Sequence, residues 1–132
     1  MNKYNILLIT KDTTIIEYIN ETFDDCSIDI YSKEIKLANK YDIIIGNPPY
    51  SKAIEFVKKS LELLEENGIL ILLLRTAFLE SRARYEFWQE NPLSRLYTLS
   101  KRPSFTGKGT DATSYSWFMW DKQTNNQYIK VI

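Results

Sequence analysis

The sequence predicts an α/β fold of three layers, in which a mostly parallel sheet is closed by a C-terminal antiparallel hairpin. Three observations point to it. Short apolar runs recur at 5–10, 41–46 and 69–74, as expected of strands buried on both faces. Segments of helical periodicity lie between them. The last two strand-like stretches, at 94–100 and 114–121, have no helix between them and therefore pair antiparallel.

Taken in order, NILLIT (5–10) reads as the first strand, and Asp12 or Thr13 can cap a helix over TTIIEYINETF, where Ile15, Ile16, Ile19 and Phe23 share a face. SIDIYS (27–32) alternates like a strand, and YDIIIG (41–46) is another two-sided one. The clearest helix spans about 51–67, with Ser51 as N-cap, Ile54, Val57, Leu61 and Leu64 at 3-4-3 spacing and Gly68 at C′. ILILLL (69–74) is then a central strand, and a second helix over about 80–90 is stopped by Asn91-Pro92. SRLYTLS and SYSWFMWD form the closing pair, and YIKVI adds an edge strand.

The 132 residues fit one domain, 1–132. Hydrophobic residues at 44% and charged residues at 26% are values of a folded, soluble protein. A lone Cys26 and the absence of histidine remove the internal disulfide, the thiolate zinc site and the commonest general base, so no metal site is expected. No apolar run reaches the roughly 20 residues a membrane span needs; a cytoplasmic location without membrane partners is the expectation. Net charge is +0, but 91–110 carries Arg95, Lys101, Arg102 and Lys108 without an acid, which is either a local basic face or a solvated loop.

The chemistry concentrates in Asn47-Pro48-Pro49-Tyr50, at the carboxyl end of a strand where α/β sheets bind ligands. Two prolines fix the backbone and donate no hydrogen bond, which leaves carbonyls as acceptors. Asn47 adds a side-chain carbonyl and Tyr50 a flat ring. Together they suit a flat substrate with an exocyclic amine. Two carbonyls can accept the amine hydrogens and draw the nitrogen lone pair out of conjugation. A nucleobase would have to leave its stack to reach them, and a ring helps hold it. The plainer alternative is that the prolines end a strand and start a helix, with Tyr50 packing on the sheet.

This stretch resembles the strand-end signature of the DNA N6-adenine (amino) methyltransferases, Asp/Asn/Ser-Pro-Pro-Tyr/Phe. YDIIIGNPPYSKAIEFVKKSLELLEENGILILLLRTAFLES and LSKRPSFTGKGTDATSYSWFMWDK extend the likeness to small phage and prophage members over most of 41–122. The resemblance implies a Rossmann-like methyltransferase sheet, S-adenosylmethionine as methyl donor and adenine in DNA as acceptor. Asn47 and the Pro48 carbonyl would then hold the adenine N6 and Tyr50 would stack on the flipped base, with Pro49 part of the same catalytic motif. RPSFTGKGTDATS (102–114) resembles a DNA-facing loop of the family, in which Arg102 and Lys108 would meet phosphates and Phe105 would stack; as residues alone, it is equally an ordinary hairpin loop.

The family's glycine-rich loop after the first strand has no counterpart, because the 4 glycines are Gly46, Gly68, Gly107 and Gly109. One strand-helix unit before YDIIIG also looks absent, so the sheet is a reduced one. Asp29 and Glu34 stand near the place of the family's acidic ribose-binding residue, and neither is assigned. Two readings follow: a methyltransferase completed by a partner chain or another cofactor pocket, or an inactive derivative that binds nucleic acid or protein. Trp88, Trp117, Phe118 and Trp120 read as core or interface, with a homodimer as one way to cover both faces of the aromatic strand. Glu80, Arg82, Arg84 and Glu86 read as a solvated helix surface.

Overall fold

A computed structural model describes residues 4–9, 26–31, 40–101, 113–124 and 126–132. The helix expected over 13–23 lies outside them. Seven strands form a single sheet: β1 (Tyr4–Ile9), β2 (Cys26–Tyr31), β3 (Tyr41–Gly46), β4 (Leu64–Arg75), β5 (Arg95–Thr98), β6 (Tyr115–Asp121) and β7 (Tyr128–Val131). Their spatial order is β2-β1-β3-β4-β6-β5-β7. Pairing is parallel from β2 through β4 and between β5 and β7, whereas β6 runs antiparallel to both β4 and β5. The expected mostly parallel sheet with an antiparallel closing pair is therefore present, and YIKVI forms its edge.

The register puts alternate residues of neighbouring strands on one face. Leu7 faces Ile44, Ile44 faces Leu70, Leu70 faces Trp120 and Leu72 faces Phe118. These residues and Leu74 are buried, and they join a core with Ala53, Phe56, Val57 and Leu63 of helix α1 (Ala53–Leu63) and Phe87 of helix α2 (Tyr85–Glu90). On the opposite face Leu8 and Leu73 are also buried. Apolar runs rather than strict alternation are the consequence of burying both sides.

α1 differs from its expected form in three ways. Ser51 is not its N-cap: a 3-10 turn over Tyr50–Lys52 precedes it, and Lys52 caps without a side-chain hydrogen bond. Its buried line is Ala53, Phe56, Val57, Ser60 and Leu63, with Ile54 and Leu61 at the margin. It ends at Leu63, because Leu64 turns extended (φ −77°, ψ 138°) and pairs with Tyr41. Gly68 accordingly lies in β4 rather than at C′ of a helix. Between the pairs Tyr41–Leu64 and Ile43–Ile69 the register shifts, so the exposed Glu65, Glu66 and Asn67 form an excursion of β4.

The helix expected over about 80–90 is two pieces, a 3-10 turn at Arg82–Arg84 and then α2, with a further 3-10 turn at Thr76–Leu79 ahead of it. Arg84 is not a solvated surface charge. Its Nε donates to the Phe78 carbonyl (2.8 Å) and its Nη2 to the Glu80 carbonyl (3.0 Å), while its guanidinium sits 4.6 Å from the Phe78 ring centre. α2 docks through Trp88, which lies parallel to Trp120 at 6.0 Å and stacks with Phe118 at 6.3 Å. Trp88, Phe118 and Trp120 thus belong to the core region, while Trp117 and Met119 are half-buried on the other face. Among the described residues no helix is long and apolar enough to cross a membrane, and no cluster of three metal-ligating side chains occurs.

Candidate functional site

The parallel strands β1 and β3 end in register at Ile9 and Gly46, and β4 runs on past Leu72, the partner of Gly46, to Arg75. Because β6 is antiparallel to them and β5 antiparallel to β6, Tyr115 and Thr98 lie at the same edge. The site residues expected from the sequence lie at this end of the sheet or in the segment between β5 and β6.

Gly46 sets the geometry. A Cβ there would run into the carbonyl oxygen and the Cβ of Ile9, so only glycine lets β3 end this close to β1. The close approach allows the Asn47 N–H to donate to the Ile9 carbonyl at 3.1 Å. The backbone of Asn47 is fixed to β1 while its side chain is exposed and makes no hydrogen bond with the described residues. Pro48 is fully buried beneath it.

The two proline carbonyls are not equivalent. Pro49 (φ −57°, ψ 128°) accepts the Lys52 N–H at 3.1 Å, and the Ala53 N–H donates to Tyr50 in the same turn. The expectation that both proline carbonyls are free is therefore corrected: that of Pro49 closes the turn into α1. The Pro48 carbonyl accepts no hydrogen bond among the described residues. The acceptor pair left at this end of β3 is the Asn47 side-chain oxygen and the Pro48 carbonyl.

Tyr50 is half-buried and packs against the core. Its ring lies 5.3 Å from that of Tyr115, tilted by 48°, and the Arg75 guanidinium carbon is 5.2 Å from its centre. Arg75 and Tyr115 are direct cross-strand partners, so together they support the ring from the sheet below. Sequence reasoning did not single out either. It also missed a chain of hydroxyls beside them: Thr76 Oγ1 shares hydrogen bonds with Ser114 Oγ (3.0 Å) and Ser116 Oγ (2.7 Å), and Ser116 Oγ donates to Thr98 Oγ1 (3.1 Å). The signal was the spacing of Ser114, just before β6, and Ser116, within that largely apolar strand. This chain ties the ends of β4, β5 and β6 together and holds the buried Ser116 hydroxyl satisfied.

Arg102, Phe105 and Lys108 lie outside the described residues. The loop that carries them leaves β5 after Thr98 and re-enters β6 at Tyr115, where the Leu99 N–H donates to the Tyr115 carbonyl at 3.0 Å. Both of its ends therefore lie at the edge that bears Asn47. Lys101, just beyond β5, is exposed there. By contrast, a cavity of about 290 Å³ lined by Trp88, Pro92, Leu93, Arg95 and Tyr128 opens near the start of β5, away from Asn47.

For a methyl donor the described residues offer no backbone cradle. The Ile9 carbonyl at the end of β1 is taken by Asn47, Gly46 is packed on the same residue, and no glycine occurs before Gly46 in the sequence. At this end of β3 the described residues leave an exposed amide side chain, a proline carbonyl that accepts no hydrogen bond among them, and the half-buried Tyr50 ring.

No family model matches the chain, and no curated protein matches it in sequence. Solved structures do match. A protein assigned as the modification subunit of a type I restriction enzyme from Vibrio vulnificus is 10% identical with a TM-score of 0.66, over 96% of this chain and 42% of that one. A Listeria monocytogenes protein assigned to the class I S-adenosylmethionine-dependent methyltransferases gives 11% identity and a TM-score of 0.62, over 99% and 59%. The M protein of the type I restriction enzyme EcoKI gives 14% and 0.56, over 92% and 32%. The chain thus spans about a third to three fifths of the length of these three structures. A mixed seven-stranded sheet superimposable on all three gives this chain the Rossmann-like methyltransferase fold, with the Asn47–Tyr50 turn at its carboxyl edge.

Proposed function

We propose that the chain presents the N6 amine of a flipped adenine in DNA for methylation, as a DNA adenine-N6 methyltransferase-like protein of viral or mobile-element type with S-adenosylmethionine as methyl donor. One observation carries this reading: the Asn47 side chain and the Pro48 carbonyl are hydrogen-bond acceptors held at the end of β3 without partners among the described residues. The Asn47 side-chain oxygen and the Pro48 carbonyl take the two amine hydrogens, which localises the lone pair on nitrogen. Tyr50, backed by Tyr115 and Arg75, orients the base by stacking. No histidine is required, since the amine is the nucleophile and its proton leaves after the attack. S-adenosylmethionine, when bound, would supply an electrophilic methyl group; the described residues form no backbone cradle for it, so its site would be completed by a partner chain or by another pocket of this chain. The modification subunits among the structural neighbours, parts of larger restriction enzymes, agree with such an arrangement.

A second reading is favoured by the lack of any glycine before Gly46: a catalytically inactive methyltransferase fold kept as a nucleic-acid or protein-binding module. Calorimetric titration with S-adenosylmethionine, alone and with adenine-containing duplex, tests whether this chain completes the donor site by itself. Saturable binding supports the enzyme. Its absence in both titrations rejects a self-sufficient one. Where methyl transfer is measured, Asn47→Ala abolishes it; retained transfer would show that the acceptor site lies elsewhere.

A further inference from the structure

Arg75 ends β4 at the edge that bears Asn47. Its side chain is exposed, its guanidinium carbon lies 5.2 Å from the Tyr50 ring centre, and it makes no ion pair among the described residues. Arginines at protein surfaces commonly find a carboxylate; this one is held by a ring instead. A guanidinium that rests on an aromatic face keeps the N–H donors in its plane for a second partner, and their planar fork matches a phosphate. The stack also removes much of the side-chain freedom that a contact would otherwise cost. The exposed cation Lys101 follows β5 at this same edge. In a chain of net charge +0, attraction to a polyanion must come from such local groups.

We infer that Arg75 is a phosphate-binding residue for DNA, gripping the backbone beside the base whose amine Asn47 accepts. The inference rests on the adenine-DNA reading above and adds to it a named anchor on the strand next to the Asn47–Tyr50 turn. It also gives Tyr50 a second role, as the ring that aligns the guanidinium. The rival is an arginine that only packs Tyr50 in place.

Fluorescence anisotropy on a labelled adenine-containing duplex, repeated across a salt series, tells the two apart. Each phosphate neutralised on duplex DNA contributes about 0.9 to the slope of log K against log salt concentration. Arg75→Met keeps an apolar stem against Tyr50 and removes the charge; it is expected to lower the magnitude of that slope by about 0.9. Arg75→Lys is expected to keep the original slope. A Met variant that weakens binding by one constant factor at every salt concentration, with the slope unchanged, overturns the assignment, as does a Lys variant that behaves like Met. Both of those results leave the proposed function standing, since DNA binding persists. An unmodified chain that shows no salt-dependent DNA binding rejects the adenine-DNA reading and this anchor with it.

Discussion

Asn47 shows how one residue can be fixed and available at once. Its N–H is committed to Ile9 and its side chain is exposed, so Asn47→Ala is expected to change stability by less than about 0.5 kcal/mol while costing about 100-fold or more in methyl transfer, the scale of losing one polar group aimed at a reacting centre. Melting curves and a transfer assay on the same preparation check both halves. Gly46 behaves in the opposite way. Gly46→Ala forces a methyl group into the Ile9 carbonyl and is expected to lower stability by about 3 kcal/mol, at the upper end of overpacking costs, read as a drop in the urea midpoint. The turn from Asn47 to Tyr50 was legible as a candidate site because its chemistry is local and its order unusual, and the structure places it at the end of β3. The inequality of the two proline carbonyls was not, since it depends on the Lys52 N–H turning back to Pro49. Arg75 was illegible for a different reason: its ring contact joins residues 25 positions apart, and charge alone gives no hint of it.

At the scale of elements, α1 was found where its periodicity put it, but its C-terminal end was not. Glu65-Glu66-Asn67-Gly68 reads equally well as the end of a helix and as a polar excursion of a strand. The pairing of Leu64 with Tyr41 decides for the strand, and no local signal announces a pairing across 23 residues. Ser60 lies within the buried line of α1. It is fully buried, and its hydroxyl has no hydrogen-bond partner among the described residues. A buried hydroxyl without a partner costs about 1–3 kcal/mol, and alanine is the better helix former. Ser60→Ala is therefore expected to raise stability by about 1 kcal/mol, seen as a higher urea midpoint with an unchanged slope. A lower midpoint would mean that the hydroxyl has a partner within the fold.

Across the whole molecule, the strand runs were legible because a sheet buried on both faces needs uninterrupted apolar residues, and β5 and β6 were legible as a pair because no helix separates them. The position of β6 between β4 and β5 was not, since strand order is a property of the packed sheet. That position matters for cooperativity. β6 joins the parallel strands to β5 and β7 through Leu70–Trp120, Leu72–Phe118 and Leu96–Phe118, and the buried core runs without a break from Leu7 to Leu96. The three tryptophans lie in α2 and β6, so their fluorescence reports the later half of the chain, whereas far-ultraviolet circular dichroism reports every strand and helix. If the core is one unit, the two signals are expected to follow a single transition in urea with the same midpoint and slope, as small domains of this size usually do. A dichroism loss that precedes the fluorescence change would show that β1–β3 unfold by themselves. The Asn47 turn, hung between Ile9 and α1, would then be lost while β4–β6 remain folded, and Arg75 would be left without the ring that aligns it.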